Sequence, residues 1–447
     1  MYLCCTVHLK GFLFVYRRYS LEIPNAYLWF QSSLIHAVAM LKKFFNDRIG
    51  SSPKVATVNI VLVASALVWY FYSFSFLKGT IEQGAFSNSQ VLTVWGANLL
   101  GIAITAILGT SLVNRVRRRI RFILYWIFMG GLLSLMPVVV NIAAFPTLLV
   151  FSTLIGGYFG LGVPACMGYF TASTEAGNRS RLAGIIFLAV FLGFFLLGIM
   201  GIESVVGNSL VLASTKFVGL IVLLMLKPEE KQITPNQRVS FTVVMRNKSF
   251  LLYFTPWCMF LVVNYMAAPI VSQLYPETLF RFSSLVEQVL SGFVAVACGF
   301  FADSVGRKRL TLTGFVLLGL GYGSLGLVEN IIGWWFYTIV DGIAWGIFYT
   351  IFLLTVWGDI AQEKSSERYY AVGSLPFLFS NFMRLSIGSY AAANIPKFAI
   401  FSFASVFLFL AVLPLVYAPE TLPEKITKER ELKIYVEKAQ EIVQKHY

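Results

Sequence analysis

The chain has 447 residues, 57% of them hydrophobic and only 13% charged, with a formal net charge of +14 and a mean hydropathy of +0.74. A soluble domain carries roughly 25% charged residues, so a chain this apolar cannot cover itself with polar surface in water, and lipid is its expected solvent. The cations stand in short clusters between apolar runs, as in cytoplasmic loops of membrane proteins, which argues against a nucleic-acid partner. Five cysteines without metal-type spacing set no disulfide framework. The histidines, His8, His36 and His446, all lie outside the apolar core, so neither histidine catalysis nor a histidine-held metal is expected inside the membrane.

In chain order, the first 56 residues read as an N-terminal cytoplasmic extension. MYLCCTVHLKGFLFVYRRYS has an apolar stretch too short to span and no small-residue cleavage site, so it makes a poor signal peptide. Two readings stay open for residues 1–39. Translation starts at Met40, ahead of LKKFFNDRIGSSPK, or these residues form an aromatic-rich segment lying on the membrane surface.

Crossing a hydrocarbon core takes roughly 20 apolar residues as a helix. Such runs occur at 57–77, 91–112, 121–140, 146–168, 182–202 and 208–226, and again at 250–271, 282–302, 310–328, 332–357, 371–392 and 396–417. The expected fold is therefore an all-α polytopic membrane protein of about 12 spans. A six-span bundle (57–226) and a second (250–417) are joined by the polar linker 227–249 and followed by a charged tail, 418–447. Lys and Arg alternate with the loops: seventeen on one side, among them Arg115, Arg117, Arg118, Arg119 and Arg121, against Lys78, Arg281 and Lys397 on the other. That bias places the linker and both termini in the cytoplasm.

Between the eighth and ninth spans the chain reads GFFADSVGRKR. Gly299, Asp303, Gly306, Arg307, Lys308 and Arg309 fill every position of the loop signature of the major facilitator superfamily, and with a six-plus-six layout the chain resembles that superfamily over about 360 residues. Gly306 can make the tight turn, and the cations lie at headgroup level, each adding about 1 kcal/mol of attraction to an anionic leaflet. The resemblance implies that Asp303 is a latch, contacting the cytoplasmic end of the fifth span in one conformation and releasing it in the other. The bland reading is a positive-inside anchor.

The counterpart between the second and third spans, GTSLVNRVRRR, keeps Gly109, Arg117, Arg118 and Arg119 but has Val113 and Val116 in place of the acid and the second glycine. A weakened first-half latch is expected. A second pair of repeats is EAGNRSRLAG, with Glu175, Arg179, Arg181 and Gly184, and DIAQEKSSERYYAVG, with Asp359, Arg368 and Gly373. An acid followed by an arginine between two spans is similar to the inter-helix charge relay of the family. APETLPEK after the last span resembles the tail signature of sugar and organic-ion porters, although PETL also stands at 276–279. The fifth span, LAGIIFLAVFLGFFLLGIMG, lacks the proline of drug/proton antiporters, while the glycines of GLGVPACMG suit helix packing.

Ionisable residues inside the membrane are costly, so each is a functional candidate. Asp341 in the tenth span and Arg384 in the eleventh lie at matched depth, roughly 12 Å below the outer surface at 1.5 Å per residue. Glu287, Gln288, Asn264 and Asn381 fall nearby in depth. The resemblance implies that their spans line one central cavity. Arg384 suits a carboxylate or phosphate, and Asp341 or Glu287 is the candidate proton-coupling acid. The alternative is a permanent Asp341–Arg384 ion pair holding two spans together.

The first half offers Asn59, Trp69, Tyr70, Tyr72, Trp95, Asn98 and Tyr158, and Lys216 is expected to snorkel or to pair structurally. The expected activity is secondary transport by alternating access at the plasma membrane, with proton-coupled uptake of a small organic anion. A sugar or other neutral-solute porter and a non-transporting sensor are the alternatives. A monomer without cofactor or metal is expected, with the lipid bilayer, the substrate and protons as partners, and no enzymatic activity.

Overall fold

The computed structural model describes residues 50–113, 119–200, 202, 204–229, 239–272, 276–328, 330–362, 366–394 and 396–423, with Lys428, Leu432 and Val436. The extension up to residue 49, Arg115, Arg117, Arg118, Lys231, Arg238, Lys364 and most of the tail lie outside it, as do the side chains of 381, 386–393, 397 and 398 and hence that of Asn381.

Twelve helices of spanning length follow one another: α1 Pro53–Gln83, α2 Asn88–Val113, α3 Arg119–Val139, α4 Phe145–Ser173, α5 Arg179–Ile199, α6 Val205–Leu226, α7 Lys248–Val271, α8 Glu277–Val305, α9 Arg307–Leu327, α10 Ile331–Ala361, α11 Ser366–Asn394 and α12 Lys397–Tyr417. Eleven are apolar enough to cross a membrane by length and composition. The exception, α11, carries Glu367, Arg368 and Arg384. No strand occurs among the described residues.

The helices run a few residues past the apolar stretches because polar caps, not hydropathy, end them. Ser52 accepts from the Val55 amide ahead of Pro53, Ser204 caps α6, Asn247 caps α7, and Asn330 caps α10 through Ile332 and Gly333. Each supplies an acceptor to an otherwise orphan first-turn N–H, which hydrocarbon could not satisfy. Within the linker, Phe241–Arg246 forms one short helix. The middle of α10, Tyr349–Thr355, is wound as a π-helix.

The two bundles meet mainly along α5 with α8 and α2 with α11. Close approach of α5 and α8 depends on Gly184 and Gly299. A side chain at either would run into backbone of the other helix, at the Ala295 and Ser180 carbonyls respectively. Small residues at such crossings let helix backbones touch in lipid, where apolar area gives no drive to associate. The first glycine of the loop signature thus sets the distance at which its Asp works.

Candidate functional site

Two clusters of charge lie along the contact between the bundles. One is a layer at the linker side. The other lines a central chamber toward the opposite side.

The layer is built from helix ends. Asp303, in the last turn of α8, accepts from the Arg181 amide at 3.0 Å. It therefore occupies the positive N-terminus of α5, in the place the resemblance implied for the latch. Its carboxylate also faces the Arg307 guanidinium at 3.1 Å and the Arg181 Nε at 3.7 Å. Arg307 contacts Asp359 at 3.0 Å. Neither carboxylate lies along an Arg307 N–H direction, so these are charge contacts rather than aligned hydrogen bonds.

Arg179 of α5 donates to Asp359 of α10 and binds the carbonyls of Thr171 and Thr174. Arg119 of α3 donates to Glu367 of α11 and to the Gly168 carbonyl, and Arg307 donates to the Ala176 carbonyl. All these acids and arginines except Arg181 are nearly or fully buried. Gly306 takes φ +109° with ψ 151°, a conformation that L side chains avoid. It leaves room for Glu420, which accepts from the Arg307 and Lys308 amides at 2.9 and 3.2 Å and so caps α9.

Not every expected gate residue joins. Arg309 and Glu175 are exposed, Lys308 donates to the Val416 carbonyl, and Arg368 donates to Val239 in the linker. The first half differs from the second in its partner. Lacking an acid on its own loop, Arg119 reaches across to the other bundle. Glu367 went unrecognised in the sequence, and Glu420 was quoted only as the acid of the PETL tail, with no partner named. Glu367 stands beside Arg368, and a search for acids able to face buried arginines at helix starts would have found it.

The chamber has a volume of about 320 Å³. Asn264 of α7, Glu287 and Gln288 of α8, Asp341 of α10 and Arg384 of α11 all line it, so five of the six polar candidates converge. Asp341 is nearly buried and accepts from the Asn264 amide at 3.3 Å and the Tyr337 hydroxyl at 3.4 Å. The Arg384 guanidinium lies over the Tyr265 ring, 5.3 Å from its centroid. No ion pair joins Arg384 to Asp341 or Glu287 among the described residues. The permanent Asp341–Arg384 pair allowed by the sequence is absent here, because an amide and a phenol hold the acid while a ring holds the base.

The rest of the wall is aromatic. Phe71, Phe194, Tyr265, Trp345, Tyr349 and Phe377 come from both bundles, in a chain of rings with neighbouring centroids no more than 6.5 Å apart. Below them, toward the charge layer, Tyr70, Phe71 and Phe377 border a second, apolar cavity of about 50 Å³.

Most of the first-half candidates do not reach the chamber; Tyr70 does. Asn98 donates to the Ser152 carbonyl, Asn59 to Ser173 and the Val55 carbonyl, and the Tyr72 hydroxyl to Asn208, so each ties helices together. Trp95 packs on Phe74 beside the chamber. Trp69 and Tyr158 face Lys216. Lys216 does not snorkel, and it pairs with no acid among the described residues. It is fully buried, and its nitrogen has only ring faces as partners. Among the described residues no group of three or more His, Cys, Asp or Glu side chains is placed to hold a metal.

No protein-family model matches the chain, and no curated protein matches it. Solved structures do. The human organic anion transporter MFSD10 superposes with a TM-score of 0.62 at 15% identity, over 81% of this chain and 99% of its own. The proton:xylose symporter XylE of the major facilitator superfamily gives 0.62 at 16% identity, over 82% and 96%. The chain has the major facilitator fold.

Proposed function

We propose that this protein is a secondary transporter of a small organic anion, working by alternating access and driven by protons. The observation that carries the reading is the Arg384 guanidinium, without an acid partner among the described residues, in a chamber of about 320 Å³ whose other charges are carboxyls. A planar fork with no acid on it suits a carboxylate, and Asp341 or Glu287 is the group that exchanges the coupling proton. The loops bias the linker side toward the cytoplasm. With the charge layer closed there and the chamber on the opposite side, the conformation is outward-facing. Rocking of the bundles about the chamber would break the pairs that join α5 to α8 and α10, and α3 to α11. A monomer in the plasma membrane, with no enzymatic step, completes the reading.

A neutral-solute porter is the second reading. Asn264, Gln288, Ser283 and Ser284 in the chamber favour it, since hydroxyl-rich ligands need such partners. Among the structural neighbours, one is an organic anion transporter and another a proton:xylose symporter.

The test is a thermal-unfolding screen of the detergent-purified full chain against carboxylates, phosphates, sugars, polyols and amines. A ligand at 100 times its dissociation constant stabilises by about 2.7 kcal/mol. The anion reading expects carboxylates to stabilise wild type but not Arg384→Gln, and proton-dependent flux of the same compound in vesicles. Stabilisation by sugars alone, regardless of Arg384, overturns it. Binding without flux identifies a sensor.

A further inference from the structure

We propose that Lys216 sets the charge preference of the chamber from behind its wall, without touching what binds there. The inference rests on the chamber identified above and deepens the anion reading. Lys216 lies near the middle of α6, fully buried. Its nitrogen is 4.5 Å from the ring centroid of Trp126 in α3, 4.8 Å from Trp69 in α1 and 5.3 Å from Tyr158 in α4. That nitrogen makes no hydrogen bond. The titratable groups that face it are the Tyr158 hydroxyl and the Cys166 thiol, both of α4. No acid pairs with it among the described residues. Three ring faces about one desolvated ammonium are a cation–π box. They attract the charge without cancelling it, so its field passes on.

The chamber is the next layer. Trp69 adjoins Tyr70, and Tyr158 adjoins Phe159. Tyr70 stacks on Phe159 with centroids 3.9 Å apart and lines the chamber. Lys216, Trp69 and Tyr158 stay out of the lining, so the ammonium lies behind it, on the order of 10 Å from the chamber by the dimensions of a helix. At an effective dielectric near 20, a unit charge at that distance changes the affinity of a singly charged ligand by about tenfold.

This contribution adds to the positive side of the chamber. Among the described residues its own charged side chains are one guanidinium and two carboxyls, one of which exchanges the coupling proton in the reading above. The first bundle lines it with rings and Ser75. Lys216 is the first bundle's contribution to the field there.

The experiment uses benzoate and benzylamine, which share a ring and differ in charge, titrated calorimetrically into the full chain. Wild type is compared with Lys216→Met, Lys216→Gln and Lys216→Arg. The ratio of benzoate to benzylamine affinity is expected to fall about tenfold in both neutral variants, to hold in Lys216→Arg, and to change little with salt, because a buried charge is poorly screened. An unchanged ratio in the neutral variants overturns the inference. So does a change that differs between Met and Gln and follows their melting temperatures, which is what a packing role produces.

Arg384→Gln keeps the two readings apart, since it is expected to abolish benzoate binding whether or not Lys216 acts. If wild type binds benzylamine only, the anion reading fails. Lys216 is then judged by whether benzylamine tightens about tenfold in the neutral variants. If neither probe binds wild type, both readings fall.

Discussion

The charge layer at the linker side and the central chamber use the same residue types in opposite ways. In the layer, Asp303, Asp359 and Glu367 each face a guanidinium, and Asp359 serves two, Arg179 and Arg307. In the chamber, Asp341, Glu287 and Arg384 share one space without an ion pair. Desolvated charges satisfied by the protein hold a conformation shut, because removing one partner strands the other. Desolvated charges left facing a cavity remain available to a ligand or a proton. The contrast teaches that intramembrane charge in this chain divides into a lock and a receptor, and that pairing, not depth, tells them apart.

Substitutions can break that contrast. The largest effect is expected from Asp359→Asn, which removes the carboxylate facing Arg179 and one of the two facing Arg307. Loss of a buried partner costs about 3–5 kcal/mol. The closed layer should open, read as labelling of a cysteine placed at Ala176 together with a lowered melting temperature. Unchanged labelling would mean that the layer does not hold the bundles together. On the chamber side, Arg384→Gln should lower carboxylate affinity about 100-fold, the roughly 2.7 kcal/mol that a lost charge-assisted contact represents. Its melting temperature without ligand should barely move, since Arg384 has no acid partner to strand. A large drop would place Arg384 with the structural group.

Gly306→Ala tests the lock more gently. The φ of +109° and the nearby Glu420 carboxylate both oppose a Cβ, for an expected loss of about 1–3 kcal/mol measured by thermal unfolding. The smallest effect belongs to Tyr337→Phe, which removes one of two donors to Asp341. About 1 kcal/mol is at stake in such a bond. It should appear as a several-fold change in flux at fixed pH, with the closed layer untouched.

Much of this was legible in the chain itself. The helices of spanning length followed from apolar runs, eleven of them apolar enough to cross, because a helix in lipid must satisfy its backbone internally and therefore has a nearly fixed length. The contact of Asp303 with the start of α5 was legible because GFFADSVGRKR places an Asp one turn before a glycine and an arginine, at a helix end where only a few partners are in reach. Six polar positions were read into one cavity from matched depth together with the family resemblance, and five of them line it. Glu367, by contrast, was hidden beside Arg368, since a loop acid among lysines looks like ordinary surface. The Lys216 box was hidden as well, because its three rings lie on three different helices and no spacing along the chain links them.

The sequence by itself determined where the long apolar helices run and where the glycine-and-arginine signature loop stands between two of them, since both depend on local length, hydropathy and turn chemistry. Only the tertiary structure decided which charges meet. It gave Arg119 to Glu367 across the bundles and Asp341 to Asn264 and Tyr337, leaving Arg384 on a ring. Pairing depends on helix rotation and separation, which glycine contacts such as Gly299 against Ser180 set at the level of single ångströms.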